Sequence, residues 1–353
     1  MKNHTNETNT LYLVTGVAGN LGSSVAAKLL EEGKSVRGLV LKGDPAAIRV
    51  PGEVEVCTGD VTDTDSIRRF FKVDNGTRIV VIHCAAIVTV NPDFSRKVYD
   101  VNVVGTKNIL DACIAHKAEK LVYVSSISAI PELPYGTAIT EVNNYDPDAV
   151  TGFYGKTKAE ASQAVMEAVR TQGLDASIVF PTGICGPDDY AFGPVASFII
   201  DYCAGKMPCG VAGSFNAVDV RDLAAAIVTC CGKGRKGEGY ILGNECVTMQ
   251  QMFQLLSTRT GTKEVKMILP AGAARFLGKL SDLVGKITQK PVRMTSFAVY
   301  SLIRNNVFDC SKAERELGYR TRPFEDSIAD TITWLEREHK IQTGRKLHEF
   351  ELQ

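Results

Sequence analysis

The chain has 353 residues, with 40 basic and 40 acidic side chains and a formal net charge of zero. That length buries a sizeable core, as one large α/β unit or as two domains. The even charge balance lacks the basic excess of a nucleic-acid binder, although it leaves room for a local patch. The polar start, MKNHTNETNT, has no apolar segment of the kind a secretory leader needs, and no apolar run is long enough to span a bilayer. A cytoplasmic protein is expected. The ten cysteines form no C-x-x-C pair and mostly sit in apolar stretches. They read as reduced core residues, with neither disulfides nor a metal site.

In chain order, short β-rich runs alternate with helical ones. TLYLVTG (10–16) reads as a strand and NLGSSVAAKLLEEG (20–33) as a helix ending at Gly33. SVRGLVL (35–41) and EVEVCTGD (53–60) are the second and third strands, followed by a helix over 64–72. RIVVIHCAA (78–86) is a fourth strand, residues 94–117 a long helix, and KLVYVSSIS (120–128) a fifth strand. A helix over 154–173 ends at a glycine, and DASIVFPTGICGP (175–187) reads as a sixth strand. Apolar strands alternating with amphipathic helices predict a parallel sheet covered on both faces.

Beyond residue 185 the alternation loosens. Helices are expected over 192–206, 218–231, 248–261, 274–287 and 324–340, with a short strand GYILG (239–243). The resulting fold class is α/β: a Rossmann-type doubly wound parallel sheet with a smaller, mostly helical C-terminal substrate lobe. Residues 1–184 would form the dinucleotide-binding domain, with returns near 217–243, and 185–353 mainly the substrate lobe. Trp334 reads as a core residue of the last helix.

Between the first strand and first helix lies Thr15-Gly16-Val17-Ala18-Gly19-Asn20-Leu21-Gly22. Gly16 can take a tight turn, Gly19 lets backbone approach a diphosphate, and Gly22 lets helix and strand pack closely. The helix N-terminus, around Asn20 and Leu21, then offers free N–H groups to the anion. Asp60 after the third strand can accept from an adenine amino group, with Val61 offering its backbone; a helix cap explains Asp60 equally well. Cys84, Ala85 and Ala86 end the fourth strand with small residues over which a nucleotide can lie, or which simply pack closely. Asn102 is a polar residue inside an apolar helix.

Tyr154 and Lys158 are four apart at the start of a helix and so share a face. A nearby ammonium would lower the phenol pKa and make Tyr154 a usable proton donor or acceptor. Ser125 and Ser126 supply hydroxyls at the carboxyl end of the fifth strand, where open α/β sheets bind ligands.

The ordered set Thr15-Gly16-x-x-Gly19-x-x-Gly22, Asp60, HCAA, Asn102, Ser126 and Tyr154-x-x-x-Lys158 resembles the extended short-chain dehydrogenase/reductases, and the likeness continues through FPTGICGP, VDVRDLAAA, YILG and AERELGY. The resemblance implies Tyr154 as acid/base, Lys158 on the nicotinamide ribose and Ser126 orienting substrate, since the family's serine is the second of such a pair. It further implies that Asn102 supports the active-site helix or a water relay and that Pro181 packs near the nicotinamide. The cofactor would be NAD or NADP.

Sugar-nucleotide dehydratases of this family carry Thr-Asp-Glu where this chain has Ser125-Ser126-Ile127. Sugar-nucleotide epimerases tend to carry Arg-x-x-Asn-x-Tyr-Gly-Pro where it has Phe180-Pro181-Thr182-Gly183-Ile184-Cys185-Gly186-Pro187. PTGICGPDDY and VSSIS look more like the dihydroflavonol-reductase and 3β-hydroxysteroid-dehydrogenase branches. A ketone–alcohol oxidoreductase acting on an apolar ring substrate is therefore expected. An epimerase holding its cofactor tightly is the alternative, and a non-catalytic nucleotide sensor the third reading. The second strand ends Leu39-Val40-Leu41-Lys42-Gly43-Asp44, with no acid at Val40 or Leu41 to hold both ribose hydroxyls. Lys42, with Arg49, can meet a 2′-phosphate, which favours NADP; an inward turn of Asp44 would reverse this. The helices carrying Asn102 and Tyr154 imply a homodimer by the same resemblance.

One helix allows two readings. Phe276, Leu280, Leu283, Val284 and Ile287 share a face, with Lys279, Asp282 and Lys286 elsewhere. The face either packs on the core, which is the preferred reading, or forms a lid over an apolar substrate and touches a membrane surface.

Overall fold

The computed structural model describes residues 10–288 and 295–343, which leaves out residues 1–9, 289–294 and 344–353 and the Lys286 side chain. The first half is built from β1 (Thr10–Thr15), α1 (Asn20–Glu31), β2 (Ser35–Val40), β3 (Glu55–Thr58), α2 (Thr64–Phe70) and β4 (Arg78–His83). There follow α3 (Arg96–Tyr99), a π-helical turn Asp100–Val104, α4 (Gly105–Ala115), β5 (Lys120–Val124), α5 (Phe153–Gln172) and β6 (Ala176–Pro181). The second half contains β7 (Gly183–Cys185), α6 (Pro194–Cys203), β8 (Gly210–Val211), β9 (Ser214–Asp219), α7 (Val220–Lys233), β10 (Gly239–Leu242) and β11 (Cys246–Thr248). It closes with α8 (Met249–Thr260), β12 (Ile268–Leu269), α9 (Ala271–Thr288), α10 (Ser296–Ile303), α11 (Ser311–Leu317) and α12 (Phe324–Arg337).

Seven strands form one sheet in the order β10-β6-β5-β4-β1-β2-β3, and every pairing in it is parallel. Successive strand residues point to opposite faces. Leu13, Leu121 and Ile178 therefore enter the core under α2, α4 and α5, with Phe70, Ile109 and Val165. Their neighbours Val14, Val122 and Val179 enter the core under α1 and α7, with Val25, Leu29, Leu223 and Ile227. Burial on both faces explains why β5 and β6 read as continuous rather than alternating apolar runs. A third core holds Ile199, Phe253, Ile328 and Trp334, so Trp334 is buried as read from the sequence.

Three sequence readings need correction. Residues 175–187 are two strands, not one: β6 ends at Pro181, beside β10 in the main sheet, while β7 leaves to pair with β9 in a three-stranded sheet. Cys246 is exposed on β11 rather than in a core. The apolar face of α9 does not pack on the core: Phe276 is 69% and Ile287 73% exposed, while Ala274 on the other side is fully buried. No described helix is long and apolar enough to cross a membrane.

Candidate active site

The β1–α1 turn is shaped by backbone contact. Gly16 has φ +69°, and a Cβ there would lie 2.8 Å from the Ala85 nitrogen. Gly22 packs on the same turn: its Cβ would strike the Gly16 carbonyl oxygen and lie 2.7 Å from the carbonyl carbon. Gly19 is different, since a Cβ there meets only Gly16 O, at 3.3 Å. Gly19 is also the N-cap of α1 and has no side chain to bond the free N–H groups, and the first turn, from Asn20 through Leu21, carries no acid. Those donors and the helix dipole are left for an outside anion. The Asn20 Oδ1 atom is buried with no hydrogen-bond partner, the mark of a group that a ligand hydroxyl can satisfy. These residues fit the diphosphate and sugar of a dinucleotide.

The adenosine side is less exclusive. Asp60 Oδ1 accepts from the backbone and hydroxyl of Thr62, both at 2.8 Å, whereas the cap of α2 is Asp63. The Val61 carbonyl accepts from Asn108 at 3.0 Å, and its side chain packs on Gly105. Ala85 N donates to Thr15 Oγ1, fixing the Cys84–Ala85–Ala86 segment beside the glycine turn. Burial pushes the Cys84 thiol up to about 12. After β2, Asp44 accepts from Ala46 N at 2.8 Å as the cap of a 3₁₀ turn, so it has not swung inward. Lys42 is exposed. Arg49 lies 3.8 Å above the Tyr190 ring, and Arg37 is tied to Glu55 and to the Phe70 and Lys72 carbonyls.

Tyr154, Ser126 and Lys158 come together where β5 meets α5. Burial pushes the Tyr154 phenol up to about 12, and the nearby Ser126 side chain works against that rise. Ser125 points elsewhere: its hydroxyl is 2.7 Å from Ser162 Oγ, inside the protein. The pair is thus separated by strand alternation, with Ser126 on the Tyr154 side. Lys158 is 1% exposed, donates to the Val124 carbonyl at 2.6 Å and lies 4.5 Å above the Tyr123 ring. Burial pulls its pKa down to about 7. The expected lowering of Tyr154 by Lys158 is not found here: burial is the largest cause for both groups, and Lys158 Nζ donates to the Val124 carbonyl.

Asn102 sits in the π turn. Its Oδ1 accepts from Ile87 N, and its Nδ2 donates to Ile87 O and Thr157 Oγ1. It ties the loop after β4 to the first turns of α5. Pro181 is buried at the end of β6, paired with Leu242. Next to it, Thr182 Oγ1 is buried without a partner.

The supporting partners were hidden in the sequence. Ser162, Thr157 and Tyr123 lie inside regular elements and look like ordinary helix or strand residues. Glu132 accepts from Tyr300 Oη and Asn305 N, and Asn305 Nδ2 donates to the Leu133, Pro134 and Thr137 carbonyls. These bonds fasten the loop after β5 to the region of α10. The adjacent Asn305-Asn306 pair, polar in an apolar stretch, was the one signal available. At the start of α5, the exposed Phe94 meets Phe153, the chain neighbour of Tyr154, edge-on at 5.2 Å.

The family model of the NAD dependent epimerase/dehydratase family matches residues 12–243. The chain belongs to this family. It is similar to sterol demethylase protein B of Methylococcus capsulatus, 30% identical over 91% of this chain and 97% of that one. A Synechocystis relative carrying a dihydroflavonol 4-reductase name is also 30% identical, over 94% of this chain and 96% of its own. Among solved structures, gox2253 superposes with a TM-score of 0.82 at 28% identity, covering 95% of this chain and 100% of that one. As a member of the epimerase/dehydratase family, the protein is an NAD(P)-dependent oxidoreductase with a Rossmann-type sheet.

Proposed function

We propose that the protein interconverts a ketone and a secondary alcohol on a largely apolar substrate, with Tyr154 as the proton-transferring group. The observation that carries this is the meeting of Tyr154 and Ser126 at the carboxyl end of β5. The sterol and flavonol names of two relatives support an apolar ring substrate. Gly16, Gly19, Asn20, Leu21 and Gly22 would hold the diphosphate, Asp60 and Val61 the adenine, and Cys84, Ala85, Ala86 and Pro181 would line the nucleotide's path. When bound, the nicotinamide gives or takes the hydride. Tyr154 protonates the forming alkoxide, or removes the alcohol proton in the reverse direction, and Ser126 orients the oxygen. The test is cofactor absorbance against a panel of steroid, flavonoid and aryl ketones and alcohols. Product formation without an absorbance change would replace this reading with that of an epimerase. We place the protein in the cytoplasm as a homodimer joined through α4 and α5, which light scattering tests.

NADP is the favoured cofactor, because Asp44 is committed to its cap and Lys42 is exposed. Lys42→Ala is expected to raise the KM for NADPH about tenfold and leave that for NADH nearly unchanged, the loss of one charge-assisted contact. An unchanged NADPH/NADH ratio would remove Lys42 from the site.

Lys158 yields a pH prediction. Its folded pKa lies near 7, below its ordinary value of 10.5. A lowered lysine binds fewer protons folded than unfolded between those limits, so its burial penalty is full below pH 7 and fades as pH rises toward 10.5. Ribose hydroxyls accepting from the ammonium favour its charged form, so cofactor binding should take up a proton above neutral pH. Titration calorimetry in buffers of different ionisation enthalpy should show this uptake at pH 8, and Lys158→Met should lack it. Equal uptake in the variant would assign the proton to another group.

A further inference from the structure

We propose that α9 docks the protein onto the surface of an anionic lipid bilayer. At about 100° per residue, Ala274, Gly278, Ser281 and Gly285 share one side of this helix, and Phe276, Leu280, Leu283, Val284 and Ile287 lie on the opposite one. The small-residue side is the packed side. Ala274 is fully buried, and a Cβ added at Gly278 would lie 3.1 Å from the Ser296 Cα at the start of α10. Asp282, the one acid of α9, accepts from Ser296 N at 3.2 Å through both oxygens, so it too is held against α10.

The large apolar residues are thereby turned outward. Phe276, Leu283 and Ile287 are 69%, 54% and 73% exposed, and Leu280 and Val284 are exposed between them. A contiguous face of this kind marks an interaction surface rather than a scattered surface residue. Charge selects the occupant. The α9 sequence holds three cations, Arg275, Lys279 and Lys286, against Asp282 alone, in a chain whose net charge is zero. A second copy packed face to face would bring like charges together. An anionic headgroup layer instead receives the apolar side chains and attracts the cations.

The face also belongs to the right lobe. α9 rests on α10, and the Phe297 ring of α10 fills the space a Cβ at Gly152 would need, immediately before α5 and Tyr154. Docking through α9 would bring the covering of the active site to the surface where an apolar substrate dissolves. That consequence rests on the proposed reaction; the docking itself does not.

The test is flotation of the full chain with vesicles of phosphatidylcholine alone and of phosphatidylcholine mixed with phosphatidylglycerol. The protein is expected to float with the mixed vesicles at least about tenfold more than with the neutral ones at low salt. The double variant Leu280→Ser/Leu283→Ser is expected to lose about tenfold or more of that binding. Its melting temperature and cofactor affinity, measured alongside, should match the parent because both side chains are exposed. Failure to float with mixed vesicles would overturn the proposal, as would equal binding to both compositions. So would a parent that light scattering shows to be associated through this face and a variant that is not. Turnover of a water-soluble ketone is read separately, so a failure of docking and a failure of the proposed reaction are distinguishable.

Discussion

Tyr154→Phe is expected to lower turnover by about 10²–10⁴-fold while cofactor affinity stays within a few-fold, the usual effect of losing a positioned acid/base. The ring remains, so the packing around the first turn of α5 is kept. What is lost is the hydroxyl that Ser126 contacts. Stopped-flow or steady-state absorbance gives the rate, and fluorescence quenching gives the affinity. Ser126→Ala should cost less, since it removes an orienting contact and leaves the proton in place. Ser125→Ala should leave substrate KM nearly unchanged, because that hydroxyl faces Ser162 in the interior. A Tyr154→Phe protein with full activity would refute the proton-transfer role. Alcohol oxidation needs the phenolate, so its rate should climb with pH as the phenol of the ternary complex ionises. Ketone reduction needs the protonated phenol and should show the opposite slope.

A second large effect is expected from the glycines, and it differs between two of them. Gly22→Ala places a methyl group against the Gly16 carbonyl, with Val17 Cα 2.9 Å away. Backbone atoms cannot step aside as a side chain can, so overpacking should destabilise the fold by about 1–3 kcal/mol. A lower melting temperature and weaker cofactor binding should appear together. Gly19→Ala adds a methyl that meets only Gly16 O at 3.3 Å, in the space where a diphosphate would approach. That variant should keep its melting temperature and still lose cofactor affinity by about tenfold or more. If Gly19→Ala bound the cofactor normally, the cradle would be misassigned. If Gly22→Ala melted with the parent, the close packing of α1 on the turn would be softer than the contacts indicate.

Much of the nucleotide side was legible because its constraints are local. A strand, a glycine turn and a helix start are consecutive in the chain, and Gly19 and Gly22 both press on Gly16 within that same turn. The spacing of Tyr154 and Lys158 was equally legible, being a property of one helix. The fate of the lysine charge was not. Lys158 is drawn to the Val124 carbonyl and the Tyr123 ring, both from β5, and its desolvation depends on how that strand and helix are pressed together. The choice between Ser125 and Ser126 likewise turns on Ser162, which is 37 residues away from Ser125.

The amphipathic helix marks the limit most clearly. Periodicity revealed two unlike faces on α9, and an apolar face is ordinarily the buried one. Here the small residues Ala274 and Gly278 pack, because only they let α9 approach the α10 backbone, and Asp282 is held on that side by Ser296. The sequence by itself determined the alternating α/β pattern, the glycine turn after β1 and the shared helix face of Tyr154 and Lys158, since each depends on neighbours in the chain. Tertiary structure alone decided which face of α9 is covered, where β6 gives way to β7, and what protonation Lys158 and Tyr154 favour. Those outcomes depend on burial, and burial is set by segments far apart in sequence.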